Sequence, residues 1–159
     1  MKKFIILIPL YNDWKSVSKL LDEIDFQVNN WEAEVSVIII NDASSDKTLT
    51  ICRKHKKISK NIKIYNNKKN LGVSLSRNIG IKKAKGKYLV FLDSDDQLKK
   101  DSLNKIETAL KGSTIDLLIS LGMEKNIKNL ELEKLKYKRN YYESFSKSEI
   151  FKFMNNYLN

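Results

Sequence analysis

The sequence predicts an α/β fold: a mostly parallel central sheet flanked by helices, Rossmann-like in layout. Three observations carry that expectation. Short apolar runs rich in β-branched residues alternate with segments of helical period, the pattern of βαβ units. The runs are apolar throughout, as in strands covered on both faces. Polar and acidic residues follow the ends of several runs, where open parallel sheets form their ligand crevice.

The elements follow in order. Phe4–Ile8 predicts the first strand. The run stops at Pro9, and Tyr11-Asn12-Asp13 follow where a signal peptide would need small cleavage-site residues. Asn12 or Asp13 caps a helix whose apolar residues Val17, Leu20, Leu21, Ile24 and Val28 keep helical spacing. Val35–Ile40 predicts the second strand. Ser45 or Asp46 opens a second helix through Leu49, Ile51 and Cys52, which dissolves into a lysine cluster. Ile62–Tyr65 predicts a third strand and Asn66–Gly72 a turn-rich loop. Ser74–Lys85 then reads as a helix burying Leu75, Ile79 and Ala84, ended by Gly86, with Tyr88–Leu92 as the fourth strand. Asp101 caps a helix bearing Leu103, Ile106, Ala109 and Leu110, ended by Gly112, and Ile115–Leu121 predicts a fifth strand.

Past Leu121 the pattern changes. Leu130, Leu132, Leu135 and Tyr137 hint at extended structure without a clean period. Ser146-Lys147-Ser148-Glu149 has capping-box spacing and opens an amphipathic helix through Leu158. The expected division is therefore an α/β domain over residues 1–121, then a different region over 122–159.

Composition narrows the function classes. At 159 residues and 42% hydrophobic, the chain holds a real core in one domain of ordinary size. No apolar run approaches the ~20 residues of a membrane-spanning helix. One cysteine, Cys52, and one histidine, His55, exclude a disulfide framework and a Cys/His zinc site. His55 lies among lysines with no orienting carboxylate pattern nearby, which argues against a Ser-His-Asp triad.

The net charge is +11, yet only Arg53, Arg77 and Arg139 among the 30 basic residues are arginine. The surplus has a bland reading, the codon bias of an A/T-rich genome. Its distribution says more. Lys47–Leu92 holds 14 basic residues and no acid, leaving the rest of the chain at −3. Such a block attracts anions over a Debye length of ~8–10 Å.

Asp93-Ser94-Asp95-Asp96, at the end of the fourth strand, is the strongest local signal. Carboxylates so crowded repel one another unless a cation joins them, and hard oxygen ligands suit Mg²⁺ or Mn²⁺. Read alone, the segment is more often a solvated turn in which Asp95 or Asp96 caps the next helix, since acidic turns are common. Asp42 follows three isoleucines, so its carboxylate stays ionised only by accepting strong hydrogen bonds. A base edge or ribose hydroxyls would supply them, as would an Asx turn onto Ser44-Ser45. Tyr11 stacks on a base or simply packs. Arg77 suits diphosphate oxygens, or lies on a solvated helix face. Neither G-x-G-x-x-G nor G-x-x-x-x-G-K-[ST] occurs, so phosphate would be held by metal and side chains.

Taken together, Ile8-Pro9-Leu10-Tyr11-Asn12, Asn41-Asp42-Ala43-Ser44-Ser45-Asp46-Lys47-Thr48, Asn70-Leu71-Gly72 with Ser76-Arg77-Asn78-Ile79-Gly80, Gly86-Lys87-Tyr88 and Leu92-Asp93-Ser94-Asp95-Asp96 stand in a specific order. That order resembles the nucleotide-sugar-binding half of a family 2 glycosyltransferase of the GT-A fold, over about residues 3–110. Asn41 stands where the family commonly has aspartate, and Ala43 where it commonly has glycine.

The resemblance implies a metal-dependent, inverting sugar transfer from a nucleotide-sugar donor, usually a UDP-sugar, with Mn²⁺ or Mg²⁺. By it, Pro9 and Tyr11 flank the base, Asp42 accepts from it, and Asp93 reaches the ribose. Asp95, with Asp93, holds the metal, Arg77 assists the diphosphate side, and Asn12 and Gly72 join the donor-binding set. Asp96 has no assigned role. The acceptor would be a saccharide or lipid-linked chain of cell-surface polysaccharide or glycolipid synthesis. The protein would be cytoplasmic, with peripheral contact at the inner face of the membrane.

Inverting members also use a later carboxylate as general base, usually in a Glu-Asp pair. None occurs here, and Glu124, Glu131, Glu133, Glu143 and Glu149 stand in no matching context. The expectation is that this chain lacks the catalytic base and ends before the acceptor half, leaving an exposed C-terminal surface for self-association. The alternatives are a non-catalytic nucleotide-sugar-binding protein and a nucleic-acid-binding module using the basic 47–87 block. Nucleic acid is not the expected partner, because Tyr65 is the sole aromatic residue of that block.

Overall fold

A computed structural model describes residues 3–30, 33–110, 117–120 and 142–145. The chain forms two compact units, Met1–Asn104 and Lys105–Asn159.

The first unit is built on a four-stranded parallel sheet of β1 (Lys3–Leu10), β2 (Glu34–Asn41), β3 (Ile62–Asn66) and β4 (Tyr88–Phe91), in the order β3-β2-β1-β4. β1 pairs with β2 along its whole length, from Lys3 opposite Glu34 to Leu10 opposite Asn41. Phe4–Leu10 and Val37–Asn41 are buried without a break, which is why both runs read as continuously apolar.

The chain steps outward from β1 to β2 to β3, then returns across the sheet to β4. Right-handed crossovers therefore place α1 (Trp14–Asn29) and α2 (Thr48–Ile58) on one face and α3 (Val73–Lys83) on the other. In agreement, α1 packs beside α2, and α3 crosses β1 and β2. Ile79 and Ala84 rest on Ile5, Leu7, Ile38 and Ile40, the residues that alternation turns to that face. α1 buries Val17, Leu20, Leu21 and Ile24, as its period predicts.

The reversal makes the carboxyl end of β1 the switch point, and Pro9 marks it. β1 pairs with β4 only from Phe4 to Leu7, and Leu92 N–H donates to Leu7 O (3.1 Å) as the ladder ends. Leu10 O faces the other way, accepting from Asp42 N–H at 2.8 Å. By alternation the nitrogen of Pro9 faces the β4 side, where no partner remains to miss its N–H. There the strands part, and a crevice opens.

Two helices depart from expectation. Leu75, expected in the core, is 51% exposed, whereas Ser76 and Gly80 are buried. α3 lies so close to β1 that a Cβ on Gly80 would stand 2.1 Å from Leu7 Cδ1. Only its small-residue face fits there, which turns Leu75 to solvent. α2 does not dissolve into the lysines but runs on to Ile58. Lys and Arg are good helix formers, and His55, Lys56 and Lys57 in the last turn suit its dipole. α2 begins at Thr48, whose N–H donates to Asp46 Oδ1 (2.9 Å).

α4 (Ser102–Leu110) follows Asp101, the expected cap, whose φ of 62° lies in the left-handed region. In the second unit β5 (Leu117–Ser120) pairs antiparallel with β6 (Tyr142–Phe145), Leu117 opposite Phe145. β6 was not legible as a strand in the sequence. Gly112, the leucines of 130–135 and the 146–158 helix lie outside the described residues. No helix among the described residues is long and apolar enough to cross a membrane.

Candidate functional site

The crevice is an open cleft of about 210 Å³ lined by Pro9, Leu10 and Tyr11 after β1, Asp42 after β2, Val73 and Ser76 of α3, and Asp93, Ser94 and Asp95 after β4. Pro9, Tyr11, Asp42, Asp93 and Asp95 thus share one hollow at the carboxyl ends of three strands. Asn12, Gly72 and Arg77 do not line it: Gly72 and Arg77 each hold a carboxylate that does, and Asn12 holds the Ser44-Ser45 loop after β2.

Asp42 is 3% exposed. Its Oδ1 accepts from Asn67 Nδ2 (2.8 Å) and Leu71 N–H (2.9 Å), and its Oδ2 from Gly72 N–H (2.8 Å). Burial pushes its pKa up, but the hydrogen bonds from Asn67, Leu71, Gly72 and Ser76 outweigh it and hold the carboxyl below its usual range. The expected alternative, an Asx turn onto Ser44-Ser45, does not form. Ser45 N–H donates instead to Asn12 Oδ1 (2.8 Å), and Asn12 N–H donates to Ser44 Oγ (2.9 Å). Asn12, at a φ of 50°, therefore braces the loop after β2. Gly72 has φ 84° and ψ 161°, a conformation essentially confined to glycine, and this aims its N–H at Asp42.

In the acidic turn, Arg77 Nη2 reaches both oxygens of Asp93, at 2.6 and 2.8 Å. The mutual repulsion expected of this segment is thus relieved in part by an internal cation. Asp96 Oδ2 accepts from Asp93 N–H (2.9 Å), and Asp96 N–H donates to Asp93 O (3.1 Å). The surplus acid closes the turn, which leaves Asp95 as the exposed carboxylate on the cleft. Ser94 Oγ donates to Asp13 Oδ2 (2.6 Å), while Asp13 also caps α1 through Ser16 N–H (3.4 Å). Asp13 N–H donates to Thr48 Oγ1 (2.9 Å), so one residue ties the acidic turn to the starts of α1 and α2.

Among the described residues no three His, Cys, Asp or Glu side chains gather into a metal cage. The donor set fits an ion that takes few protein carboxylates and completes its shell with water and phosphate. Of the later glutamates, Glu143 falls in β6, and Glu124, Glu131, Glu133 and Glu149 lie outside the described residues.

Asn67, Val73, Ser76 and the Asp13–Ser94 link escape sequence reasoning. Asn67 sat in plain view in the Asn66–Gly72 loop, but nothing in its type marks it as the donor to a carboxylate 25 positions away.

Comparisons with known proteins identify the family and the fold. The glycosyl transferase family 2 model matches residues 5–156. An uncharacterized glycosyltransferase of Rickettsia bellii is 38% identical over 112 residues, 69% of this chain and 15% of the relative. The poly(ribitol-phosphate) β-N-acetylglucosaminyltransferase TarS of Staphylococcus aureus is 31% identical over 123 residues, 75% of this chain and 21% of TarS. The structure of TarS 1–349 in complex with UDP-GlcNAc superposes with a TM-score of 0.67 at 27% identity, covering 80% of this chain and 36% of that one. The chain thus spans about a fifth or less of the length of these two relatives. Its parallel sheet and flanking helices are those of GT-A glycosyltransferase structures. The chain belongs to glycosyl transferase family 2.

Proposed function

We propose that the cleft binds the nucleoside diphosphate of a nucleotide-sugar donor, a UDP-sugar, and that the chain is the donor-binding part of an enzyme that passes the sugar to a saccharide or lipid-linked acceptor in cell-surface polymer synthesis. One observation carries this reading: Asp42, Asp93 and Asp95 open into one hollow beside the exposed ring of Tyr11. The TarS structure solved with UDP-GlcNAc supports the choice of donor.

Tyr11 and Val73, 52% and 50% exposed, offer apolar surface to a planar base. Asp42 has four acceptor positions, of which Asn67, Leu71 and Gly72 take three. The Ser76 hydroxyl also hydrogen-bonds the carboxylate, so an N–H of the base would take the fourth position by displacing it. Asp93, held by Arg77, accepts from ribose hydroxyls. Arg77 thereby acts on the donor through Asp93, rather than directly on the diphosphate as the resemblance implies.

Asp95 would hold Mn²⁺ or Mg²⁺ together with diphosphate oxygens and water, with Asp93 at its edge. Such an ion, when bound, offsets the charge that develops on the departing nucleoside diphosphate. The protein's own contribution is orientation: the Asp96 turn and the Ser94–Asp13 bond fix where the Asp95 carboxylate stands.

Calorimetry with UDP tests this, with Mn²⁺ present or chelated. Binding that needs the metal and falls at least tenfold in Asp95→Ala is expected. Absence of binding by the wild-type chain, or undiminished binding by the variant, overturns it.

A further inference from the structure

We propose that the end of the sheet opposite the cleft is a docking surface for an anionic lipid bilayer. In parallel βαβ units the helices run back against the strands, so α2 and α3 both finish at the amino-terminal ends of the strands. Lys56, Lys57 and Lys60 surround the α2–β3 connection, and Lys82, Lys83, Lys85 and Lys87 surround the α3–β4 connection. All seven are exposed, and among the described residues none is in an ion pair. β3 and β4 are the two outer strands of this sheet, ~14 Å apart, and α2 and α3 cover its opposite faces, so the two clusters flank the amino-terminal end of the sheet. Both clusters therefore add positive potential at the same end of the sheet.

Helix-dipole compensation explains only part of this. One or two cations in a last turn suffice for it, and Lys60, Lys85 and Lys87 lie beyond the helices. Ile58, 81% exposed, projects at the end of α2 between Lys57 and Lys60. A bare alkyl group among lysines suits insertion between lipid headgroups. Stacking on nucleic-acid bases needs exposed rings instead, and Tyr65, in the same block, is half-buried under Lys83 Nζ at 5.4 Å. Docked this way, the cleft faces the aqueous side, ~26 Å away along the eight residues of β1.

Co-sedimentation of the full chain with phosphatidylcholine vesicles, and with equimolar phosphatidylcholine–phosphatidylglycerol vesicles, tests the proposal. Binding to the anionic vesicles alone is expected, with release between about 0.05 and about 0.5 M salt. At about fivefold per lysine, Lys56→Gln with Lys57→Gln and Lys60→Gln should weaken partitioning by about a hundredfold. Ile58→Ser should weaken it severalfold while leaving UDP affinity and thermal unfolding unchanged. Equal binding to neutral vesicles, or wild-type partitioning by the triple variant, overturns it. Tighter binding to single-stranded RNA than to anionic vesicles also overturns it.

Discussion

Replacing Asp42 by asparagine changes no heavy-atom outline, yet the structure assigns it a large cost. The carboxylate is surrounded by donors: Asn67 Nδ2 and Leu71 N–H on Oδ1, and Gly72 N–H on Oδ2. An amide must turn its NH₂ toward one set. The cheaper orientation keeps the Oδ1 pair and sets NH₂ against the Gly72 N–H. One charge-assisted bond worth about 1.5–3 kcal/mol is lost, and two others fall to the ~1 kcal/mol of neutral bonds. The sum is about 2.5–7 kcal/mol, or a melting temperature lower by at least about 5 °C.

The pH dependence follows from the sign of the shift. In the folded chain the Asp42 carboxyl titrates below the ordinary carboxylate range. The carboxylate therefore contributes its stability above the unfolded value and loses it as pH falls through the folded one. Thermal unfolding followed by circular dichroism at pH 7 and near pH 3 reads both effects. The gap between Asp42→Asn and wild type should be widest at pH 7 and narrow in acid. A variant melting within ~2 °C of wild type at pH 7 refutes the account of the loop, because the donors would then have found other partners.

Other sites give sharper structural readouts. Gly80→Ala gains about 1 kcal/mol of helix propensity but drives a methyl into Leu7, which is fully buried, so overpacking of about 1–3 kcal/mol should lower the melting temperature. Gly72→Ala meets nothing within 4 Å, so its cost of about 1–3 kcal/mol is backbone strain alone and should appear in urea titration as a lower midpoint. Cys52 is buried with its thiol pushed up to about 12, so it should resist a disulfide reagent at neutral pH until the chain unfolds.

The sheet and α1 were legible because they are periodic. Phe4–Ile8 has only one place to hide, and Val17, Leu20, Leu21 and Ile24 define a single helical stripe. α3 misled because closeness, not hydrophobicity, chose its buried face: Gly80 lets the helix approach Leu7, and Leu75 is left outside. At the cleft, the convergence of Asp42, Asp93 and Asp95 followed from strand ends in a parallel sheet. Their partners did not. Arg77 meets Asp93 across 16 positions and Asp13 meets Ser94 across 81, contacts that only the folded topology creates. Asp96 illustrates the limit most simply, since its backbone-closing role is indistinguishable from metal ligation by composition alone.

Backbone amide NMR during titration with UDP and Mg²⁺ locates the site most directly. Shifts should concentrate at Tyr11, Leu71–Val73 and Asp93–Asp96, leaving Lys56–Lys60 and Lys82–Lys87 unmoved. Shifts gathered at the lysine end of the sheet, or none at the three strand ends, would contradict a donor site in the cleft.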